Sequence, residues 1–338
     1  MKQLLQKLCP LPGVSGCEFS VADTVAEHLS LYADVRRDAL GSVIGEINNK
    51  GQAAPHILLD SHIDQIGLLV TDIDKTGFLR FTMCGKADLR VLSGAEVTVW
   101  GKEPLFGVIS STPPHIANPE KAGVAKAASE LGIDIGYCEK EARELVTIGD
   151  TVTFNSGFFE LCDTKISAAA LDNRAGAAVI LRALELLKDK KHNTKITALF
   201  SVLEETGKGG AAAASFGIEP DEAVVFDVSF ANYPNSKLAH LSSGPMIGIA
   251  PILSREISSK LIKTAENHKI PYTLEVMGGR TSTNADTIAI SGKGIKTGLI
   301  SMPLRNMHSA VEVADINDLE FCSRLIAEYI IKRGNGDA

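Results

Sequence analysis

The sequence predicts an α/β fold: a mixed central sheet flanked by helices and interrupted by a β-rich, barrel-like insertion. Three observations predict it. Helical stretches alternate with apolar, strand-like runs up to residue 64 and again after residue 164, as expected of a parallel or mixed sheet covered by helices. Between them, residues 65–163 carry short strands such as IGLLVTDI, FLRFTMC, EVTVWG, LFGVIS and DTVTF, punctuated by Gly and Pro, the texture of a small barrel or sandwich. Third, KITALFSVLEETGKGG at 195–210 is an apolar strand pattern that ends in two adjacent carboxylates and a Gly-rich turn. In open α/β sheets the ligand crevice lies outside the carboxyl ends of the strands. The expected division is one α/β domain formed by residues 1–64 and 164–338, with residues 65–163 inserted into it.

Taken in order, residues 1–10 suit a short helix, and PGVSG makes a turn. A second helix, VADTVAEHLSLYA, is expected to start from Ser20 as N-cap. VRRDALGSVIGEINNKG suits a hairpin closing on Asn-Asn-Lys-Gly, and AAPHILLDSHID is an apolar strand ending in Asp60, His62 and Asp64. Within the insertion, EKEAREL is the one helical piece. After residue 164 come helix DNRAGAAVILRALELLKD, strand KITALFSVL, helix GGAAAASFG and strand DEAVVFDVS. Helix SREISSKLIKTAENHK, strand GIKTGLISMP and the C-terminal helix LEFCSRLIAEYIIKR complete the chain. The charge run KDKKH at 188–192 suits a solvated helix C-terminus.

Acids outnumber bases, 41 Asp and Glu against 34 Lys and Arg, for a net charge of −7, which argues against nucleic acid or an anionic membrane as the main partner. No apolar run approaches the roughly 20 residues of a membrane span. The N-terminal MKQLLQKLCPLPGVSGCE lacks the pattern of a secretory signal. The six cysteines are scattered without a CxxC pair, so free thiols are expected, and a cytoplasmic location with them.

The candidate chemistry falls at element ends. His62 follows a strand, as do Glu204 and Glu205; Asp227 follows AVVF, His308 follows TGLISMP, and Asp172 opens the DNRAG helix. Two His with several carboxylates suit zinc, cobalt or manganese better than a soft-metal site. In an extended segment His62 and Asp64 share a face, so that Asp64 can accept from the second imidazole nitrogen of His62. Neighbouring residues of a strand point opposite ways, which would let one of Glu204 and Glu205 ligate while the other serves as base. His28, His56, His192, His240 and His268 read as surface or core residues, His115 as structural, and GKGG at 207–210 as a tight turn, since GxxxxGK[ST] is absent.

With these residues assembled, the chain resembles the di-metal aminopeptidase family of glutamyl aminopeptidases, deblocking aminopeptidases and tetrahedral (TET) peptidases. The resemblance spans nearly the whole length: PGVSGCE, SHIDQIGLLV, PPH at 113–115, IDIGYCEKEARELVTIGDTVTF at 133–154, LDNRAG, EETGKGGA, FDVS and MHSAVE. It implies that His62 and Asp227 hold one metal, Glu205 and His308 a second, and that Asp172 bridges them. Glu204 would be the general base, Asp64 the residue orienting His62, and Asp172–Asn173 a cis peptide. Two divalent ions per chain, zinc or cobalt, short peptide substrates, a catalytic α/β domain and an inserted dimerisation domain are likewise implied, with dimers in many relatives building a hollow dodecamer. Gln65 stands where many relatives have an acid, and Asn284 where they often have Asp; both are expected to bear on which first residue is preferred.

Two other functions fit the same residues. A di-metal amidohydrolase acting on N-acyl amino acids would use the same cluster, and a non-catalytic assembly protein would keep the fold without needing two ions. Some relatives are labelled cellulases, but glycoside hydrolysis calls for paired carboxylates around a sugar, not for two metals.

Overall fold

A computed structural model describes residues 1–47, 54–113, 115–116, 124–232 and 239–335. Its strands are β1 (Asp34–Arg37), β2 (Val43–Ile47), β3 (His56–His62), β4 (Gly67–Ile73), β5 (Leu79–Cys84), β6 (Glu96–Trp100), β7 (Pro104–Ser110), β8 (Gly132–Asp134), β9 (Thr151–Phe154), β10 (Phe159–Glu160), β11 (Lys165–Ala168), β12 (Lys195–Ser201), β13 (Glu222–Phe230), β14 (Met246–Ile249), β15 (Thr273–Val276), β16 (Lys296–Leu304) and β17 (Glu312–Asp315). The helices are α1 (Lys2–Leu8), α2 (Phe19–Leu29), α3 (Glu139–Leu145), α4 (Leu171–Leu187), α5 (Glu204–Gly207), α6 (Gly209–Ile218), α7 (Arg255–Asn267), α8 (Ala285–Ile288) and α9 (Ile316–Gly334).

Eight strands form one mixed sheet in the order β1-β2-β12-β3-β13-β16-β14-β15. Its middle is parallel, β12 to β3, β3 to β13 and β13 to β16. Such strands are buried on both faces, and the sequence shows how. Ile57, Leu59, Ile196, Ala198, Phe200, Val224 and Phe226 enter the core beneath α4 and α9. Their alternates Leu58, Leu199, Ala223 and Val225 enter a second core with Ala211 and Ala214 of α6 and Ala285 and Ile288 of α8. Continuous apolar runs therefore serve two cores at period two. Burying each Leu, Ile or Phe contributes about 1.5–3 kcal/mol.

The insertion is a closed barrel, β4-β5-β8-β7-β6-β9. Alternate residues such as Val97 and Val99 of β6 turn inward to its own core with Leu68, Leu79, Ile109, Ile133 and Val152. A small third sheet, β10-β11-β17, lies beside the entry to α4.

Three local expectations are corrected. The hairpin of β1 and β2 closes at residues 38–42, not at Asn-Asn-Lys-Gly: Asp38 Oδ1 accepts the N–H groups of Leu40, Gly41 and Ser42, and Gly41 has φ +102°. Residues 48–51 lie outside the described residues. The second helix starts at Phe19 with Glu18, not Ser20, at its N-cap, and the Glu18 carboxylate accepts from Gly16 N and Leu203 N instead of capping the helix. Glu204 and Glu205 do not continue β12: Leu203 takes a left-handed φ of 62° and starts the helical turn α5.

Among the described residues no helix is long and apolar enough to cross a membrane.

Candidate metal centre

Sheet register brings His62, at the end of β3, level with Asp227, which lies inside β13 and not at a strand end as the sequence suggests. His62 of β3 pairs with Ser201, the last residue of β12, and Asp227 lies two residues past the Val225–Asp60 pairing of β13 with β3. The turn after β12 delivers Glu204 and Glu205, the loop after β16 delivers His308, and the entry to α4 delivers Asp172, whose bond to Asn173 is cis. Asn173 fastens that entry to the sheet: its Nδ2 donates to Phe226 O at 2.8 Å and its Oδ1 accepts from Gly176 N at 3.0 Å.

The five candidate ligands face one another. Asp172 Oδ1 lies 3.3 Å from His62 Nε2 and Asp172 Oδ2 lies 3.3 Å from His308 Nε2. Asp227 Oδ1 is 3.9 Å from His62 Nε2, and Glu205 Oε2 is 3.5 Å from His308 Nε2. His62, Asp172 and Glu205 offer ligand atoms all within 4.8 Å of one another. His62 and Asp227 are buried and the His308 side chain is 28% exposed, which places the open side of the cluster at His308.

These residues fit a metal on two grounds. Contacts of 3.3–3.9 Å are long for N–H···O hydrogen bonds, whereas bond lengths of about 2.0–2.2 Å put tetrahedral zinc ligands about 3.3–3.5 Å apart. Glu205 Oε1 is also buried with no hydrogen-bond partner, a costly position for a carboxylate oxygen unless a cation faces it. Electrostatics point the same way. Burial, with the Asp172 charge next, pushes the Glu205 carboxyl up to about 10. Burial also drives Asp227 well above the usual range, with Asp172 adding to it against the pull of His62. Burial opposes a charge on Asp172 as well, but His308 and His62 outweigh it and hold that carboxyl low. Burial opposes the charge on His62 too, but Asp172 and Asp64 outweigh it and hold its imidazole well above its ordinary value.

Asp64 Oδ1 lies 3.3 Å from His62 Nδ1, and the Asp64 carbonyl oxygen lies 3.2 Å from the same nitrogen. Asp64 also accepts a bond from Ser15 Oγ, one from Glu204 N at 3.0 Å and one from Glu205 N at 3.0 Å. Glu204 turns toward Lys208, whose Nζ lies 2.9 Å from Glu204 Oε1 and donates to Ser282 O at 2.9 Å. Lys208 was not singled out in the sequence, where it reads as part of a tight turn; its spacing of four from Glu204 was the available signal. That turn is tight: a Cβ on Gly210 would stand 2.3 Å from Val202 O.

The cluster opens into a cleft of about 950 Å³, whose lining includes Phe230, Thr281, Thr283, Asp286, Met307 and His308. Gln65 and Asn284 are not among the residues lining this cleft. Gln65 Oε1 accepts from the buried Arg174 at 3.0 Å. Asn284 Nδ2 donates to Asp60 Oδ2 at 3.0 Å and Ser201 Oγ at 2.9 Å, behind the site.

A family model described as M42 glutamyl aminopeptidase matches residues 41–325. The lysyl aminopeptidase of Pyrococcus furiosus is 32% identical, over 94% of this chain and 93% of that one. The solved aminopeptidase APDkam598 of the archaeon Desulfurococcus kamchatkensis matches with a TM-score of 0.92 and 34% identity, over 98% of this chain and 94% of that one. The TET1 peptidase of Pyrococcus horikoshii, which can assemble into a tetrahedron or a large octahedral shell, matches with a TM-score of 0.87 and 32% identity, over 98% and 99% of the two chains.

Proposed function

The chain is a metal-dependent aminopeptidase belonging to the M42 glutamyl aminopeptidase family, and from that premise we propose that it removes N-terminal residues from short peptides with two divalent ions, zinc or cobalt, and Glu204 as general base. The observation that carries the proposal is Asp172, whose two oxygens each face a different histidine at 3.3 Å. His62 and Asp227 would hold one ion, Glu205 and His308 the other, and Asp172 would be shared. Two such ions supply Lewis-acid polarisation of the scissile carbonyl and a water acidified to near neutrality.

The chain's own residues do the rest. Asp64 fixes His62 by facing Nδ1, so that Nε2 is directed at Asp172 and Asp227. Glu204 Oε1 faces Lys208 Nζ at 2.9 Å in an ion pair, and the Glu204 carboxylate would take a proton from the attacking water and return it to the leaving amine. Anchoring the strands, the turn α5, the entry to α4 and the loop after β16 to one packed sheet would keep the base and the ligands within the tolerance that proton transfer requires.

We also propose that the barrel insertion mediates dimerisation and that dimers build a larger shell. Support comes from the assembly of the TET1 peptidase and from large apolar side chains left exposed in the insertion, Val91 at 51%, Phe106 at 57% and Ile148 at 60%. Light scattering of the purified chain checks this: a monomer at micromolar concentration would refute it. We also propose a cytoplasmic location, which the free cysteines support.

Hydrolysis of a matched peptide panel, with free, N-acetylated and C-amidated versions, tests the activity. Chelator-sensitive release of the first residue from free and amidated peptides, but not acetylated ones, is expected. Cleavage confined to acylated substrates would move the protein to deacylation, and cleavage of soluble cellulose would overturn the peptidase assignment.

A further inference from the structure

Glu312 closes the stretch MHSAVE at 307–312. It begins β17, where the β11–β17 ladder sets it opposite Ala168, and the chain runs on from Ala168 through Ala170 to Asp172. Glu312 is 2% exposed. Its Oε2 accepts the backbone N–H of Asp172 at 3.0 Å, and its Oε1 accepts the backbone N–H of His308 at 2.9 Å. One carboxylate thus ties together the loops carrying two candidate ligands that are 136 residues apart in sequence (308 − 172).

Both loops need such a tether. Ala170, just before Asp172, has φ 57°, and His308 itself has φ 63°. Left-handed backbone at non-glycine residues is unfavourable and persists where the surroundings hold it. In the bonds described both Glu312 oxygens accept main-chain amides, those of Asp172 and His308, with the Leu171 amide a further backbone donor. That parallels Asp64, which accepts from Glu204 N and Glu205 N on the other half of the cluster. A buried carboxyl group spent on main-chain N–H groups is a geometric device, since the amide of the same shape presents one acceptor oxygen in place of two.

We propose that Glu312 is a positioning residue of the metal centre: by accepting from the amides of Asp172 and His308 it sets the separation of the shared carboxylate from the histidine of the second ion. The inference rests on the two-ion arrangement proposed above. It predicts that loss of Glu312 weakens binding of the ion held by Glu205 and His308, while the peptide-binding cleft, which Glu312 does not line, keeps its affinity for substrate.

The test is titration of Co²⁺ into the apo chain by calorimetry and by visible absorption, for the wild type, Glu312→Gln, Glu312→Asp and the control Glu222→Gln. Glu222 is another buried carboxylate, remote from the cleft, held by Tyr329 and Arg333. Glu312→Gln keeps the volume but turns an NH₂ toward one of the two amides. It is expected to bind the weaker ion about 10–100-fold less tightly, to shift the Co²⁺ absorption bands, and to lower kcat with KM little changed. Glu312→Asp, which keeps two acceptor oxygens, is expected to fall between, and it carries the test if Glu312→Gln does not fold. Glu222→Gln is expected to lose stability alone. Wild-type Co²⁺ affinity and spectrum in a folded Glu312 variant would overturn the inference while leaving the two-ion proposal standing. A wild-type chain that takes up fewer than two Co²⁺ would remove both.

Discussion

Asp64 Oδ1 accepts the backbone N–H of Glu204 at 3.0 Å, so the strand end that carries His62 and the turn that carries the proposed base are fastened by one side chain. Asp64 Oδ2 extends the link to Glu205 N at 3.0 Å. Burial opposes a charge here, but His62, Ser15 and these amides outweigh it and hold the Asp64 carboxyl below its ordinary value. Asp64→Asn would leave His62 in place but present an NH₂ to one of these N–H groups. Metal affinity is expected to fall about 10–100-fold, read by calorimetry. Unchanged affinity would confine Asp64 to the fold.

Glu204 and Glu205 are neighbours with separate surroundings, one beside Lys208 and the other beside His308. Glu204→Gln is therefore expected to retain both ions and to lower kcat about 10²–10⁴-fold, the usual span for a general base. Elemental analysis alongside steady-state kinetics checks it. Loss of an ion in this variant would make Glu204 a ligand, and wild-type turnover would dismiss it as the base.

How these two residues separate was not legible in the sequence. Strand alternation predicts opposite faces for them, but the left-handed Leu203 ends the strand and places both in a helical turn. That conformation is set by Glu18, which accepts Leu203 N from 185 residues away, and no local pattern announces it. Glu312 escaped for the same reason: its partners are chosen by a sheet ladder, not by spacing. The strand-end position of His62 was legible because an apolar run stops abruptly at polar residues; Asp227 lies inside its strand instead, since β13 runs on to Phe230 and pairs Asp227 with Ser301 of β16. The hairpin turn was misplaced because Asn-Asn-Lys-Gly looks the stronger local signal, whereas Asp38 supplies three acceptor bonds within its own loop.

Removing divalent ions should destabilise the folded chain. Asp172, Glu205 and Asp227 crowd one buried site, and Glu205 Oε1 has no hydrogen-bond partner there. A ligand that binds only the native state at about 1,000 times its Kd adds about 4 kcal/mol. A chelator is expected to lower the melting temperature by several degrees, and Zn²⁺ or Co²⁺ to restore it. A melting curve indifferent to chelator would mean that the native state holds no tightly bound ion.

The last prediction concerns pH and lies away from the site. Asp318, buried in α9, accepts from Gly244 N at 2.7 Å and Ser242 N at 2.8 Å. Burial outweighs those bonds and raises its carboxyl from 3.8 to about 7. Between those values the native chain keeps a proton that the unfolded chain releases, so stability falls as pH rises through the window, by at most about 1.4 kcal/mol per pH unit from this group. Asp318→Asn cannot titrate and still offers one acceptor to the Ser242–Gly244 loop. The variant is expected to be less stable than the wild type at pH 5, with the gap narrowing toward pH 7.5. Urea midpoints at the two pH values, taken with saturating metal, measure it. Parallel pH dependence in the two proteins would show that Asp318 is already ionised in the native chain below pH 5.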